Sequence, residues 1–298
     1  MESSTEVANN KFKTVLFCIW VAAAMLLIQM GVGVIGGIVV SLLSVFKNMG
    51  GNAADQQAVM DLLSGKMVYI ELAAVILALI IMAFWYYFGY VKKSKADGSY
   101  EQPLKKIADV RFFALMIITS IAVYSLAYLL NNFATFLLPE AGEKFADMMQ
   151  LTFGGNDVVG FIAAGIIGPV CEELTLRGIV LKRSERSFGM VGCIILNALI
   201  FSCMHMNPIQ GIYALPMGIV FTYVCYRYNS VVPGIILHIL NNSISFLLSR
   251  FINTDNLSNL IWIVVFVLLA LGAFLIARQM PEFKGNKEEE QVCQLSAE

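Results

Sequence analysis

Two glutamates, an arginine, two histidines and an asparagine stand in stretches that are otherwise apolar. The first group lies in Gly168-Pro169-Val170-Cys171-Glu172-Glu173-Leu174-Thr175-Leu176-Arg177-Gly178. On a helix Glu173 and Arg177, four apart, share a face and can pair. Glu172 points about 100° away and has no cation of its own on that helix. The chain has 2 histidines in all. His205 closes the run Phe201-Ser202-Cys203-Met204-His205, just before Asn207-Pro208, and His238 follows Pro233-Gly234 and lies four residues before Asn242 on the same helical face. A carboxylate withdrawn from water holds a proton more readily, which suits it to act as a base near neutral pH. Imidazole can hold a water or a metal, and an amide can donate to a developing negative charge. The residue types therefore allow hydrolysis. They also allow a bland reading, in which Glu173 with Arg177 is an ion pair locking two helices together and each histidine is a packed core residue.

Placing these groups together requires a membrane fold. Of 298 residues, 58% are hydrophobic and 14% charged, with mean hydropathy +0.75. A soluble domain of this length carries about a quarter charged residues. The apolar runs reach the roughly 20 residues that cross a bilayer core. Eight are counted: Thr14–Phe46, Met67–Val91, Phe112–Leu138, Val158–Leu181, Gly189–Met206, Ile209–Tyr226, Val231–Leu248 and Leu260–Ala277. The expected fold is all-α, a polytopic membrane helical bundle of about eight transmembrane helices. Its parts are a cytoplasmic tail (1–13), transmembrane helices 1–3 (14–138), a core of helices 4–7 (158–250), helix 8 (257–280) and a disordered cytoplasmic tail (281–298).

Charge in the connections orients the bundle. Of the 20 Lys and Arg, fifteen fall with the two termini and the connections after spans two, four and six. Four (Lys47, Lys66, Lys144, Arg250) fall on the other side, and Arg177 lies inside a span. Basic residues stay in the cytoplasm, so both termini are expected there. The net charge of −1 and the absence of a basic block exclude a nucleic-acid partner. The 6 cysteines fit packing in spans better than a disulfide framework, and Cys293 is not in a prenylation box.

Ionisable groups at helix centres cost about 2.5–3.5 kcal/mol each on insertion and so mark function. Glu71, near a span end, reads instead as a carboxylate reaching the interface, and Asp157 and Arg250 read the same way. The first span, too long to stand upright, is expected to tilt or to bend near Gly31–Gly37, with Gly33 and Gly37 allowing close packing. Pro169 can kink its helix.

The ordered set Glu172-Glu173-xxx-Arg177, Phe201-xxx-His205 and His238-xxx-Asn242, each on its own span, resembles the CPBP (Abi, CaaX protease-like, Rce1-type) intramembrane proteases. Pro169, Gly178, Asn207-Pro208 and Pro233-Gly234 match the usual neighbours, and Leu176 replaces a common Phe. The resemblance covers about Val158–Leu248. It implies an intramembrane endopeptidase in which Glu172 activates a water that His205 also holds. His238 and Asn242 then stabilise the oxyanion, while Glu173 and Arg177 support the helix and tune Glu172. Its metal variant would use Glu172, Glu173, His205 and His238 around Zn²⁺. The metal-free form is favoured, because Asn242 is a poor zinc ligand and a good donor. The implied partners are the lipid bilayer and a peptide or membrane-anchored protein, cut near the cytoplasmic face, and the setting is a bacterial inner membrane. Two other readings stand beside it: a non-catalytic bacteriocin immunity or scaffold protein, and an ion-coupled transporter. Counting residues from the cytoplasmic ends puts His205 much deeper than His238, so a tilted or late-starting fifth span is expected.

Overall fold

Backbone in lipid must satisfy its own hydrogen bonds, and a chain of long apolar runs does this by turning each run into helix. The structure, a computed structural model, describes residues 4–47, 55–100, 109–251 and 258–278. The tail 281–298 and Cys293 lie outside the described residues. Among the described residues there are nine helices and no strand. They are α1 (Ser4–Lys47), α2 (Asp55–Tyr86, carried on through Tyr87–Val91 and Lys92–Ala96), α3 (Val110–Leu137), α4 (Pro139–Phe153), α5 (Asp157–Ser184), α6 (Met190–Met204), α7 (Pro208–Tyr228), α8 (Val232–Phe251) and α9 (Asn259–Ala277).

Seven of these, all but α4 and α6, contain a stretch long and apolar enough to cross a membrane. Large apolar side chains such as Leu268 and Phe274 on α9 and Ile35 and Leu43 on α1 point outward, an amount of bare apolar surface that only lipid covers. The chain is a multi-pass membrane protein. The fifth of the eight expected spans is the exception. With 15 residues α6 rises about 22 Å, less than a bilayer core.

Helix α1 runs as unbroken helix through Gly31–Gly37. The packing glycine also differs from expectation. Among the described residues nothing lies within 4 Å of a Cβ built on Gly33 or Gly37, whereas one on Gly36 would lie 2.8 Å from Cγ2 of Ile70 on α2. The helical repeat turned a different glycine towards the neighbour.

Helix α3 begins where Asp109 accepts the backbone N–H of Arg111 at 2.9 Å, an N-terminal cap. It packs on α7, α8 and α9, while α1 pairs with α2 and α6 with α7. Phe112 and Met116 of α3 and Phe201, Phe221 and Leu237 fill the shared core. Helix α9 is peripheral. Its one buried side chain, Trp262, meets Tyr128 and Tyr124 of α3 at ring distances of 4.9 and 5.6 Å.

Helix α5 is not a regular α-helix. Wide turns at Phe161–Ile167 and Leu174–Val180 flank a short α segment, Gly168–Glu173. Pro169 has no N–H to give, and just before it Gly168 N–H reaches back five residues to Ala163 O. The expected kink takes the form of a widened turn, a feature frequent at functional sites.

Candidate active site

The α segment of α5 presents its two glutamates in different directions. Glu173 points into protein and is fully buried with Arg177. Nη1 of Arg177 donates to Oε1 of Glu173 at 2.7 Å, and both side chains are 0% exposed. The rest of the guanidinium is also engaged. Nε donates to Oγ1 of Thr222 at 3.2 Å and Nη2 to the carbonyl of Gly218 at 3.2 Å. Its flat face lies 4.9 Å from the ring centre of Phe201. A buried charge this fully paired fixes how α5 meets α7.

Helix α8 joins the same carboxylate. Nδ1 of His238 lies 2.9 Å from Oε1 of Glu173. A carboxylate oxygen accepts, so Nδ1 carries the hydrogen and Nε2 is the free nitrogen. That nitrogen faces Glu172, whose Oε2 is 3.9 Å away. The family resemblance implies that Glu173, with Arg177, supports the helix and tunes Glu172. In the fold it orients His238 directly.

The close approach depends on Gly234. A Cβ there would sit 2.5 Å from Oε2 of Glu173 and 2.6 Å from Sγ of Cys225. Only hydrogen fits between α8 and the buried pair.

His205 ends α6. Its Nδ1 lies 2.8 Å from the carbonyl oxygen of Phe201, so Nδ1–H donates and Nε2 again is free. The ring of Phe201 stands edge-on to His205 at 4.9 Å and to His238 at 5.6 Å. The two imidazoles flank one phenyl ring, despite the depth difference counted along the helices. Met206, in the left-handed region at φ 50, makes the turn. Asn207 then caps α7 through Oδ1, which accepts from the N–H groups of Ile209 and Gln210.

Glu172, His205, His238 and Asn242 all line one cavity of about 660 Å³, a size suited to a short stretch of peptide. Glu173 and Arg177 stand behind it. Asn242 spends one amide hydrogen on the carbonyl of Ala164 at 2.9 Å and keeps a second. Three lining residues were not singled out for this site from sequence: Glu71 of α2, Asn241 of α8 and Tyr213 of α7. Glu71 was assigned to the interface because it lies near a span end, yet it faces inward. Its charge and charge-poor neighbours were the available signal. Asn241 was legible only as the neighbour of Asn242.

The lining has a direction. On α5 it runs from Ala163 to Glu172, on α8 from His238 to Ser249, on α3 from Tyr124 to Asn131, and on α7 from Gln210 to Met217. These are the ends away from the basic connections at Lys182–Arg186 and Arg227. Amphipathic α4 lies across this end and contributes Phe145, Met148 and Met149 to the cavity. Beside it, Arg250 of α8 and Asp157 of α5, the two groups assigned to free interfacial positions, form an ion pair. The lining residues thus lie towards the α4 end of the bundle.

Among the described residues no three His, Cys, Asp or Glu side chains are placed to hold a metal ion. Oε1 of Glu173 is already shared by Arg177 and His238, on the ring nitrogen away from Glu172.

Residues 154–244 match the family model described as type II CAAX prenyl endopeptidase, Rce1-like. No curated protein and no solved structure matches the chain.

Proposed function

We propose, on the premise that residues 154–244 belong to the Rce1-like type II CAAX prenyl endopeptidase family, that Glu172, His205, His238 and Asn242 hydrolyse a peptide bond inside the membrane without a metal. The reading is carried by one observation: four side chains from three helices line a single cavity, with Glu172 3.9 Å from the free nitrogen of His238.

Each role follows from the hydrogen bonds. A water between Glu172 and Nε2 of His205 donates one hydrogen to each, which leaves a lone pair aimed at the substrate carbonyl. As the C–O bond forms, Glu172 takes the water's proton. The carbonyl oxygen becomes an oxyanion that the second amide hydrogen of Asn242 meets. His238 also donates to it when Nε2 carries a proton, since Nδ1–H is committed to Glu173. The C–N bond then breaks and Glu172 returns its proton to the leaving amine. Enclosure by apolar helices strengthens each of these contacts.

The substrate is a peptide or membrane-anchored protein, and we place its approach at the α4 end of the bundle. With the basic connections in the cytoplasm, that end is the outer face of a bacterial inner membrane.

The test compares membrane proteomes of cells carrying the wild type and Glu172→Gln. The expected result is one or more proteins or peptides that remain uncut in the variant and are cut by purified wild type in the presence of a chelator. Activity lost to the chelator and restored by zinc would overturn the metal-free part. Identical proteomes, with no cleavage by the purified protein, would overturn the peptidase reading.

A further inference from the structure

Helix α7 supplies none of Glu172, His205, His238 and Asn242, yet the turn from Gly218 to Thr222 touches the parts that hold them. At Gly218 it lies close against α6, where an added Cβ would sit 2.9 Å from Cα of Ala198. At Thr222, which is 0% exposed, it meets Arg177. The ring centre of Phe221, next in the chain, is 5.7 Å from Cζ of Arg177 and 5.3 Å from the ring centre of His238.

Chemistry fixes the direction of each hydrogen bond here. The carbonyl of Gly218 only accepts, so the Thr222 hydroxyl donates its hydrogen there, at 2.6 Å. The lone pairs left on Oγ1 take the hydrogen of Nε of Arg177 at 3.2 Å. Nη2 donates to the same Gly218 carbonyl at 3.2 Å, and Nη1 to Oε1 of Glu173 at 2.7 Å. That carboxylate oxygen also takes Nδ1–H of His238. An arginine held at one nitrogen can turn on its long stem and carry the shared oxygen with it. Three contacts fix the plane of the fork. Among the described residues, Thr222 is the one side-chain acceptor for Arg177 besides Glu173, and its hydroxyl also engages the backbone acceptor.

We propose that Thr222 is a positioning residue for the hydrolysis. Through Arg177 and Glu173 its hydroxyl sets the rotation of the His238 ring, and so the place of Nε2 beside Glu172. The consequence for turnover rests on the peptidase reading, whereas the ring geometry is measurable without a substrate. Thr222 does not line the cavity, so its loss alters the aim of the reacting groups and leaves substrate contacts in place.

The experiment uses the two histidines as reporters, since the chain has 2 in all. Full-length protein in liposomes, labelled at the histidine nitrogens for magnetic resonance, gives one imidazole pattern for each, assigned with His205→Gln and His238→Gln. Wild-type His238 is expected as a single form with hydrogen on Nδ1. Thr222→Val has the same shape without the hydroxyl and is expected to shift or split that pattern. The pattern of His205 is expected to stay, because its Nδ1–H goes to the backbone carbonyl of Phe201. On a peptide left uncut in Glu172→Gln membranes, kcat of Thr222→Val is expected to fall by about tenfold, with KM little changed. Thr222→Ser keeps the hydroxyl and is expected to restore both readouts. An unchanged His238 pattern, an equal shift of both histidines, an unchanged kcat, or a Thr222→Ser no better than Thr222→Val overturns the proposal. So does a failure of Thr222→Val and Thr222→Ala to fold where Thr222→Ser folds, since the hydroxyl then holds the fold and not the ring. If wild type cleaves nothing, the peptidase reading falls by itself, and the imidazole patterns still decide whether Thr222 aims His238.

Discussion

Nδ1 of His238 lies 2.9 Å from Oε1 of Glu173, the same oxygen that Arg177 holds at 2.7 Å. One carboxylate thus anchors a charge on its own helix and an imidazole on another. The ion pair that could have been mere packing is also what aims the histidine.

Removing the charge of Glu173 separates these two functions. Glu173→Gln leaves Arg177 buried without its anion and is expected to cost about 3–5 kcal/mol, read as a lowered unfolding midpoint in detergent. Glu173→Gln with Arg177→Met removes both charges and is expected to recover most of that stability. Activity is expected to stay low, because His238 has lost its guide. Recovery of activity in the double variant would show that the pair serves packing alone.

Gly234 is expected to tolerate no side chain. A methyl group 2.5 Å from Glu173 and 2.6 Å from Cys225 forces α8 outward, and Gly234→Ala is expected to destabilise by about 1–3 kcal/mol. Adding Cys225→Ala clears only the sulfur. Thermal unfolding is therefore expected to recover in part, with peptide cleavage still impaired.

Phe201 touches Arg177 and both imidazoles through one buried ring. Phe201→Leu keeps most of the volume, so stability is expected to fall by about 1.5 kcal/mol or less. Turnover is expected to fall by about tenfold or more, since small displacements of reacting groups are costly. Parallel small losses in both measurements would assign the ring to packing.

The ion pair of Asp157 and Arg250 gives a negative control. Their side chains are 48% and 59% exposed, and exposed pairs contribute less than about 1 kcal/mol. Asp157→Asn and Arg250→Gln are expected to leave both the unfolding midpoint and cleavage close to wild type. A large loss from either would assign the bridge a part in closing the α4 end.

Much of the arrangement was legible because a helix turns spacing into direction. A spacing of four from Glu173 to Arg177, and from His238 to Asn242, places each pair on one face wherever the helix goes. Adjacent Glu172 and Glu173 point apart by the same geometry, which is why one faces the cavity and the other the core. What spacing does not carry is which neighbour a face meets. Glu71 was assigned to the interface by its position in the span, and only the packing of α2 against α5 turns it inward. Gly36 rather than Gly33 or Gly37 takes the close contact on α1 for the same reason. The short α6 was read at full span length because its flanks, Gly189 and the run to Met206, are apolar enough to continue. Its backbone stops at the left-handed turn of Met206, set by Asn207 and Pro208.

Met148 and Met149 of α4, which line the cavity, are unbranched thioethers that stand 43% and 37% exposed. Such side chains mould themselves to whatever rests against them. Discrimination by contour is accordingly weak against these two side chains, and a substrate taken up as proposed above would be sorted by the polar atoms deeper in the cavity.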